Sequence, residues 1–392
     1  MSSLRGSSMG SDTNVVVYYG PPSWFEEQLG ESQRQYLLDL LNERDEARRR
    51  IRHTVDGQET SEEEVATSRP DCVVAMSSDY ASVHEHAITN FVGLVRELNP
   101  KHLLLHNPPE LIHTQLDRVF TTKVERYTYP VVTRDTLIRF RDGFADHLVG
   151  QRSVRERMLA ALYPLTNDKR SKPVVLMFYG PSGVGKTETA QFLNGLLGGK
   201  LMRKQFSMFH SDKFASYVFG GSHSESSFAR DLLDRSSGVI LIDEFDKANP
   251  VFHSAFYEVF DEGVFEDKNY RVPLGSTLII CTSNYGSEDE IRKALGDALY
   301  SRFDALIRFE SLTADEVKEV INRLVDACFQ VLSSDEQAIL DKEEVKPMLY
   351  AHASSTSNVR KLRKLVDEVI SLKLVRATLN DADASSTATS TK

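Results

Sequence analysis

No run of about 18 apolar residues occurs anywhere in the 392-residue chain, which excludes an ordinary membrane-spanning helix. Cysteine is scarce. Cys72, Cys281 and Cys328 are odd in number, far apart and in no metal-ligand spacing, so they read as free or buried thiols of a cytoplasmic protein. Large apolar side chains are nearly missing from residues 1–13 and 380–392, where Ser, Thr, Gly and Asp dominate; both segments are expected to be disordered. Met1–Thr13 also lacks the apolar centre of a secretory signal. Positive charge is in deficit, with a formal net charge of −10. That balance argues against nonspecific nucleic-acid binding, although a local basic groove is compatible with an acidic chain.

What is present is an ordinary globular composition long enough for two or three domains. From Asn14 to about Tyr129, short apolar runs alternate with helical patterns. Asn14–Tyr19, Asp71–Met76, Lys101–His106 and Val124–Pro130 read as strands; Ser32–Arg52, Ser82–Leu98 and Pro109–Val119 read as helices. This alternation predicts a small parallel α/β domain. The acidic stretch Asp56–Pro70 reads as a loop. His84 and His86 stand two apart and point to different sides of a helix, a poor metal pair. Trp24, Phe25, Tyr18 and Tyr19 read as a packed aromatic cluster rather than a binding face. No catalytic signature is visible in this domain.

The informative segment begins at Lys172. Lys172–Tyr179 is a compact apolar run of buried-strand character, followed at once by Gly180-Pro181-Ser182-Gly183-Val184-Gly185-Lys186-Thr187 and then a helical pattern. This is the P-loop spacing in its required context of strand, loop and helix. The glycines let backbone N–H groups turn inward around phosphates, and the helix N-terminus adds a positive end. Lys186 is expected to reach the β- and γ-phosphate oxygens, and Thr187 to offer its hydroxyl to magnesium.

A second apolar strand, Gly238–Ile242, ends in Asp243-Glu244. Asp243 is expected to hold magnesium through water, and Glu244 to polarise the attacking water. A third strand, Ser276–Thr282, ends in Ser283-Asn284; in a sheet that sets this strand between the first two, Asn284 could touch the γ-phosphate or the lytic water, although Asn at a strand end is more often a turn residue. The guanine-reading N-K-x-D and the L-S-G-G-Q signature are both absent, which points to adenine and away from transporter ATPases.

Taken together, Gly180–Ala190 (GPSGVGKTETA), Val239–Pro250 (VILIDEFDKANP), Val251–Val264 and Thr277–Ser287 resemble, in order, the second ATPase module of the Clp-type AAA+ chaperones. The resemblance continues in Leu299–Asp304, Ser357–Lys364 and His147–Gln151, and covers residues 145–376. It implies a P-loop AAA+ parallel sheet with a C-terminal helical lid, preceded here by the small N-terminal α/β domain. With the residue patterns, the expected organisation is a 14–130 accessory domain, a 131–171 helical connector, a 172–310 core and a 311–379 lid. The implied ligands are ATP and Mg2+. The resemblance also puts the arginine-finger role on Arg302, the second sensor on Arg360, the first sensor on Asn284, and contacts near adenine on Leu148 and Val149. It implies a homo-oligomeric ring, a hexamer being one such assembly; no membrane partner is expected, for want of a long apolar run.

One departure matters. Threading members carry a glycine-aromatic-hydrophobic-glycine pore loop, whereas the counterpart here reads Tyr217-Val218-Phe219-Gly220-Gly221-Ser222-His223-Ser224, closer to torsin-like members. Tyr217 and Phe219 are expected to pack beneath the core. Three functions stay open at this level: remodelling of a protein substrate recruited by the N-terminal domain, a non-threading nucleotide switch or assembly ATPase, and a nucleic-acid-linked or phage-defence ATPase.

Overall fold

The computed structural model describes residues 13–31, 33–53, 69–167, 169–208, 212–353 and 356–389. Residues 1–12 and 390–392 of the expected tails, and all but the end of the expected Asp56–Pro70 loop, lie outside the described residues.

Two parallel sheets organise the chain, in keeping with the α/β class. The first is built from β1 (Asn14–Tyr19), β2 (Gln35–Tyr36), β3 (Cys72–Ala75), β4 (His102–His106) and β5 (Thr122–Arg126) in the order β2-β3-β4-β1-β5, and every pairing is parallel. β5 begins two residues before the expected Val124 and ends at Arg126, because it is an edge strand with weak burial alternation. The expected helix Ser82–Leu98 is three short helices, Asp79–Ser82, Glu85–Thr89 and Phe91–Leu98, interrupted by extended Val83 and by Asn90.

The second sheet carries β6 (Val174–Tyr179), β7 (Met202–Gln205), β8 (Val239–Asp243), β11 (Leu278–Thr282) and β12 (Ala305–Arg308) in the order β12-β6-β11-β8-β7. A small antiparallel ribbon, β9 (Val264–Glu266) with β10 (Arg271–Pro273), lies beside it in sequence. Both faces of the three central strands are buried, which is why they read as continuous apolar runs. Val174, Leu176 and Phe178 face one core with Val239, Leu241, Leu278 and Ile280; Val175, Met177 and Tyr179 face another with Ile240, Ile242, Ile279 and Cys281.

The segment expected as a connector is part of the first of these cores. Helices Arg134–His147 and Arg152–Leu162 bury Phe140, Phe144, Val154, Met158 and Leu162 against the sheet. The lid comprises helices Ala314–Val331, Ser334–Ile339, Lys342–Ala353 and Val359–Thr389, packed around Ile321, Val325, Val345, Leu349, Leu362 and Val366. Its last helix runs ten residues beyond Leu379 into the tail expected to be disordered, since no Gly or Pro interrupts Val359–Thr389.

The two sheets share one apolar core, which runs from Val15 and Leu105 through Tyr80 and Ile112 to Phe228 and Phe265. Polar contacts reinforce the junction at the carboxyl edge of the first sheet. Asn107, just past β4, donates to Asp234 at 2.7 Å; Arg230 donates to the Ser77 carbonyl at 3.0 Å; the Glu110 N–H donates to the Asn269 carbonyl at 2.9 Å. Burial pushes the Asp234 carboxyl up to about 6, countered only in part by the Asn107 hydrogen bond and Arg230. A carboxyl whose folded pKa exceeds its unfolded value favours the fold only when protonated. The cost of ionising it is therefore full above about pH 6 and fades as pH falls toward about 4. Asp234→Asn, which keeps an acceptor for Asn107, should add about 1–2 kcal/mol of stability at pH 7. Thermal melts from pH 4 to 7 should show a flatter profile than the parent, and an unchanged profile would remove Asp234 from this account.

Candidate functional site

The site forms where β6, β11 and β8 end side by side. β11 lies between the other two in register, with Cys281 opposite both Met177 and Ile242. The residues just past those ends are therefore neighbours: the P-loop after β6, Asn284 after β11, and Glu244 after β8. Helix Lys186–Leu197 starts at Lys186, with Gly185 as its left-handed cap. Gly183 and Gly185 both have positive φ, and a Cβ on either would lie within 2.6 Å of Asn358 or Leu148. No other residue type satisfies both the turn and the close approach.

Lys186 is buried, and its ammonium donates to the carbonyls of Gly180 (2.5 Å) and Pro181 (2.8 Å) and to Asn284 Oδ1 (3.1 Å). Burial pushes its pKa down to about 8, against the opposing pull of Asp246 and Asp243 and with a further push from Arg360. Thr187 Oγ1 stands 3.5 Å from Asp243 Oδ2. Asp243 is itself buried, and Thr282 donates to its other oxygen. Glu244 leaves the strand in a left-handed conformation (φ 57°), and its N–H donates to Thr282 Oγ1 at 3.0 Å. Hydrogen bonds from Ser207 and Gln205 hold the Glu244 carboxyl below the usual range, with Gln205 Nε2 at 3.1 Å.

The lid reaches the loop directly. Val359 donates its N–H to the Gly183 carbonyl (2.9 Å), and Asn358 Nδ2 donates to the Ser182 carbonyl (2.9 Å). Asn358 Oδ1 at the same time accepts from Arg360 N (3.0 Å), so this one side chain caps the lid helix and clips it to the P-loop. Leu148 packs on Gly185 and Val149 joins the lid core. Both border a cavity of about 640 Å³ closed by Phe144, Gly150 and, from the lid, Glu316, Glu319 and Arg323. Gln151 fastens this segment to the sheet through two hydrogen bonds with the Glu310 backbone.

Of the residues singled out from sequence, Gly180–Thr187, Asp243, Glu244 and Asn284 converge. Leu148, Val149 and Arg360 flank them. Arg302 stands apart: it pairs with Asp261 at 2.7 Å, lies over the Tyr257 ring at 4.7 Å, and precedes Asp304, which bonds Val175 at the opposite end of β6. Sequence reasoning missed Arg203, Gln205, Ser207 and Asn358. For Asn358 a signal existed, because Asn ahead of a helical run is a strong N-cap.

Tyr217 is buried near the end of helix Asp212–Phe219, stacked on Phe214 and edge-on to Phe228, and donates to Asp231 at 2.5 Å. Phe219 differs from expectation: it is 39% exposed, resting on Phe252. Its carbonyl accepts from Lys268 N, and the Gly221 carbonyl from Asn269, so the segment is fixed along the β9–β10 ribbon. Tyr217→Ala should therefore cost about 3–5 kcal/mol of stability, as for other buried aromatics. A thermal melt checks this; an unshifted melting temperature would return Tyr217 to consideration as a substrate grip.

A family model described as "AAA domain (Cdc48 subfamily)" matches residues 171–331. The chaperone protein ClpB of Tropheryma whipplei (strain TW08/27) is 26% identical over 227 residues, covering 51% of this chain and 32% of its own length. The ATP-dependent Clp protease ATP-binding subunit ClpC of Staphylococcus saprophyticus is 27% identical over 254 residues, covering 54% and 31%. The corresponding subunit ClpL of Staphylococcus aureus (strain USA300) is 29% identical over 248 residues, covering 55% and 34%. The chain thus spans about a third of the length of the curated relatives it matches. With the strand order, the phosphate loop and the acidic pair all in place, residues 171–331 are an AAA domain, and the chain is similar over about half its length to the Clp-type AAA+ ATPases.

Proposed function

We propose that the chain couples magnesium-dependent ATP hydrolysis at this site to remodelling of a protein partner, with the N-terminal domain as the part that meets the partner. The observation that carries the reading is the convergence of Lys186, Thr187, Asp243, Glu244 and Asn284 at three adjacent strand ends beneath a lid clipped to the same loop. Lys186 would exchange its carbonyl contacts for phosphate oxygens. Glu244 would orient and deprotonate water, and Asn284 would hold that water or the γ-phosphate. Leu148 and Val149 would flank adenine. Arg360, at the head of the lid helix, would respond to the phosphates and move the lid with them.

The donor set fits magnesium. Among the described residues no group of three or more His, Cys, Asp or Glu could hold a metal alone. One hydroxyl and one carboxylate facing each other suit an ion that keeps several waters and takes its remaining ligands from the nucleotide. Thr187 would offer the hydroxyl and Asp243 would hold a water of the ion, which when bound neutralises charge on the transferring phosphoryl group.

The buried Tyr217 favours action without threading: a homo-oligomer whose nucleotide state reshapes a docked partner, rather than one that draws a peptide through a pore. Steady-state ATPase, alone and with an unfolded model protein, separates the two, and imaging with ATP reports the assembly. Turnover that needs magnesium and ignores the unfolded protein supports the non-threading form. Strong stimulation by the unfolded protein would restore threading, and turnover insensitive to a chelator would remove the magnesium assignment.

A further inference from the structure

Asp243 already has a cation of its own. Arg203, on the edge strand β7, pairs in register with Leu241, two residues before Asp243, and its long side chain runs along the strand. Its Nε donates to Asp243 Oδ2 at 3.1 Å, and Nη2 donates to the same oxygen. That oxygen is the one facing Thr187 Oγ1, while Thr282 fills the other. The carboxylate is buried, so without a partner its charge would be costly. The Arg203 side chain is 39% exposed, so solvent is open to it when it lets go.

We propose that Arg203 is a built-in counter-ion of Asp243 that competes with the divalent cation for this carboxylate, so that the site is held neutral before the metal arrives and grips it less tightly afterwards. The proposal rests on the reading of Asp243 as the metal-facing carboxylate. A hydrated cation beside Thr187 has to share Oδ2 with the guanidinium or displace it, and two cations repel at this range. The same pair has an opposite effect on the nucleotide alone. With Arg203 in place, Asp243 presents no net charge to incoming phosphates; without it, a bare carboxylate repels them.

Removing the guanidinium should therefore move two affinities in opposite directions, which a merely structural defect would not do. The test uses the full chain, a fluorescent ADP analogue titrated in chelator, and Mn2+ bound to the ADP-loaded protein, followed by electron paramagnetic resonance. Arg203→Gln should bind the analogue about 3–10-fold more weakly in chelator and hold Mn2+ about 3–10-fold more tightly. Arg203→Lys keeps the charge but loses the paired donors; it should shift both affinities the same way by less, and it decides the matter should Arg203→Gln fold poorly. Loss of both affinities, or a change in neither, would overturn the proposal. Asp243→Asn tells this failure from that of the underlying reading. If it weakens Mn2+ binding while the Arg203 variants leave it unchanged, the competition alone is wrong. If it leaves Mn2+ binding intact, Asp243 does not face the metal and both ideas fall.

Discussion

Glu244→Gln should still bind ATP and hydrolyse it at least about 100-fold more slowly. The two halves of this result have separate structural grounds. On the proposed reading binding rests on the P-loop and Lys186, and none of the Lys186 contacts to Gly180, Pro181 and Asn284 involves Glu244. The left-handed turn at residue 244 is held by its own N–H on Thr282, which the substitution leaves alone. A glutamine oxygen can still accept from Gln205 and Ser207, so the β7 end should stay in place. What is lost is a carboxylate that these two hydrogen bonds hold below its usual range, and with it, on the proposed reading, the group that takes a proton from water. Single-turnover hydrolysis beside equilibrium nucleotide binding checks the split. Near-parental turnover would mean that another group is the base. Loss of binding would mean that residue 244 supports the loop rather than the chemistry.

That result would concern residues which sequence made visible, and the contrast with those it hid is physical. The P-loop and the Asp243-Glu244 pair are local: a buried strand, a glycine turn and a helix start occupy consecutive residues, and each leaves a mark in composition. The central strands are equally plain because both their faces are buried. Arg203 and Gln205 are different. They lie on β7, Met202-Arg203-Lys204-Gln205, an edge strand with one buried residue and no apolar run. Their meeting with Asp243 and Glu244 depends on β7 pairing with β8 in one register, and no spacing within the chain encodes that pairing. The junction of the two sheets was hidden for the same reason. Asn107 and Asp234 are 127 residues apart, and each alone reads as a turn residue or a surface acid. The helices from Arg134 to Leu162 looked like a polar connector because only one stripe of each is apolar; that stripe covers the ATPase sheet.

Arg302→Ala should leave ATP binding nearly unchanged and lower turnover by about 10³–10⁵, the range for a cation that acts on the transition state from a neighbouring subunit. Within one chain Arg302 has no route to its own P-loop. It sits in the turn before β12, two residues ahead of the Asp304 that bonds Val175, while the loop follows Tyr179, so about five residues of strand, or roughly 17 Å, separate the two ends of β6. Its present partners, Asp261 and the Tyr257 ring, hold the side chain at a partly exposed surface. That pair also provides the control. An exposed ion pair contributes at most about 1 kcal/mol, so a folding defect from its loss is small beside a thousandfold fall in rate. A thermal melt within a few degrees of the parent would separate the two causes. Mixing Arg302→Ala chains with Lys186→Ala chains should then restore part of the activity, because at a shared interface one supplies the phosphate loop and the other the cation. The specific activity of the parent should also rise with protein concentration as the interface forms. No recovery in demonstrably mixed assemblies, or a specific activity flat across the monomer range, would place the whole site within one subunit and leave Arg302 as the surface partner of Asp261.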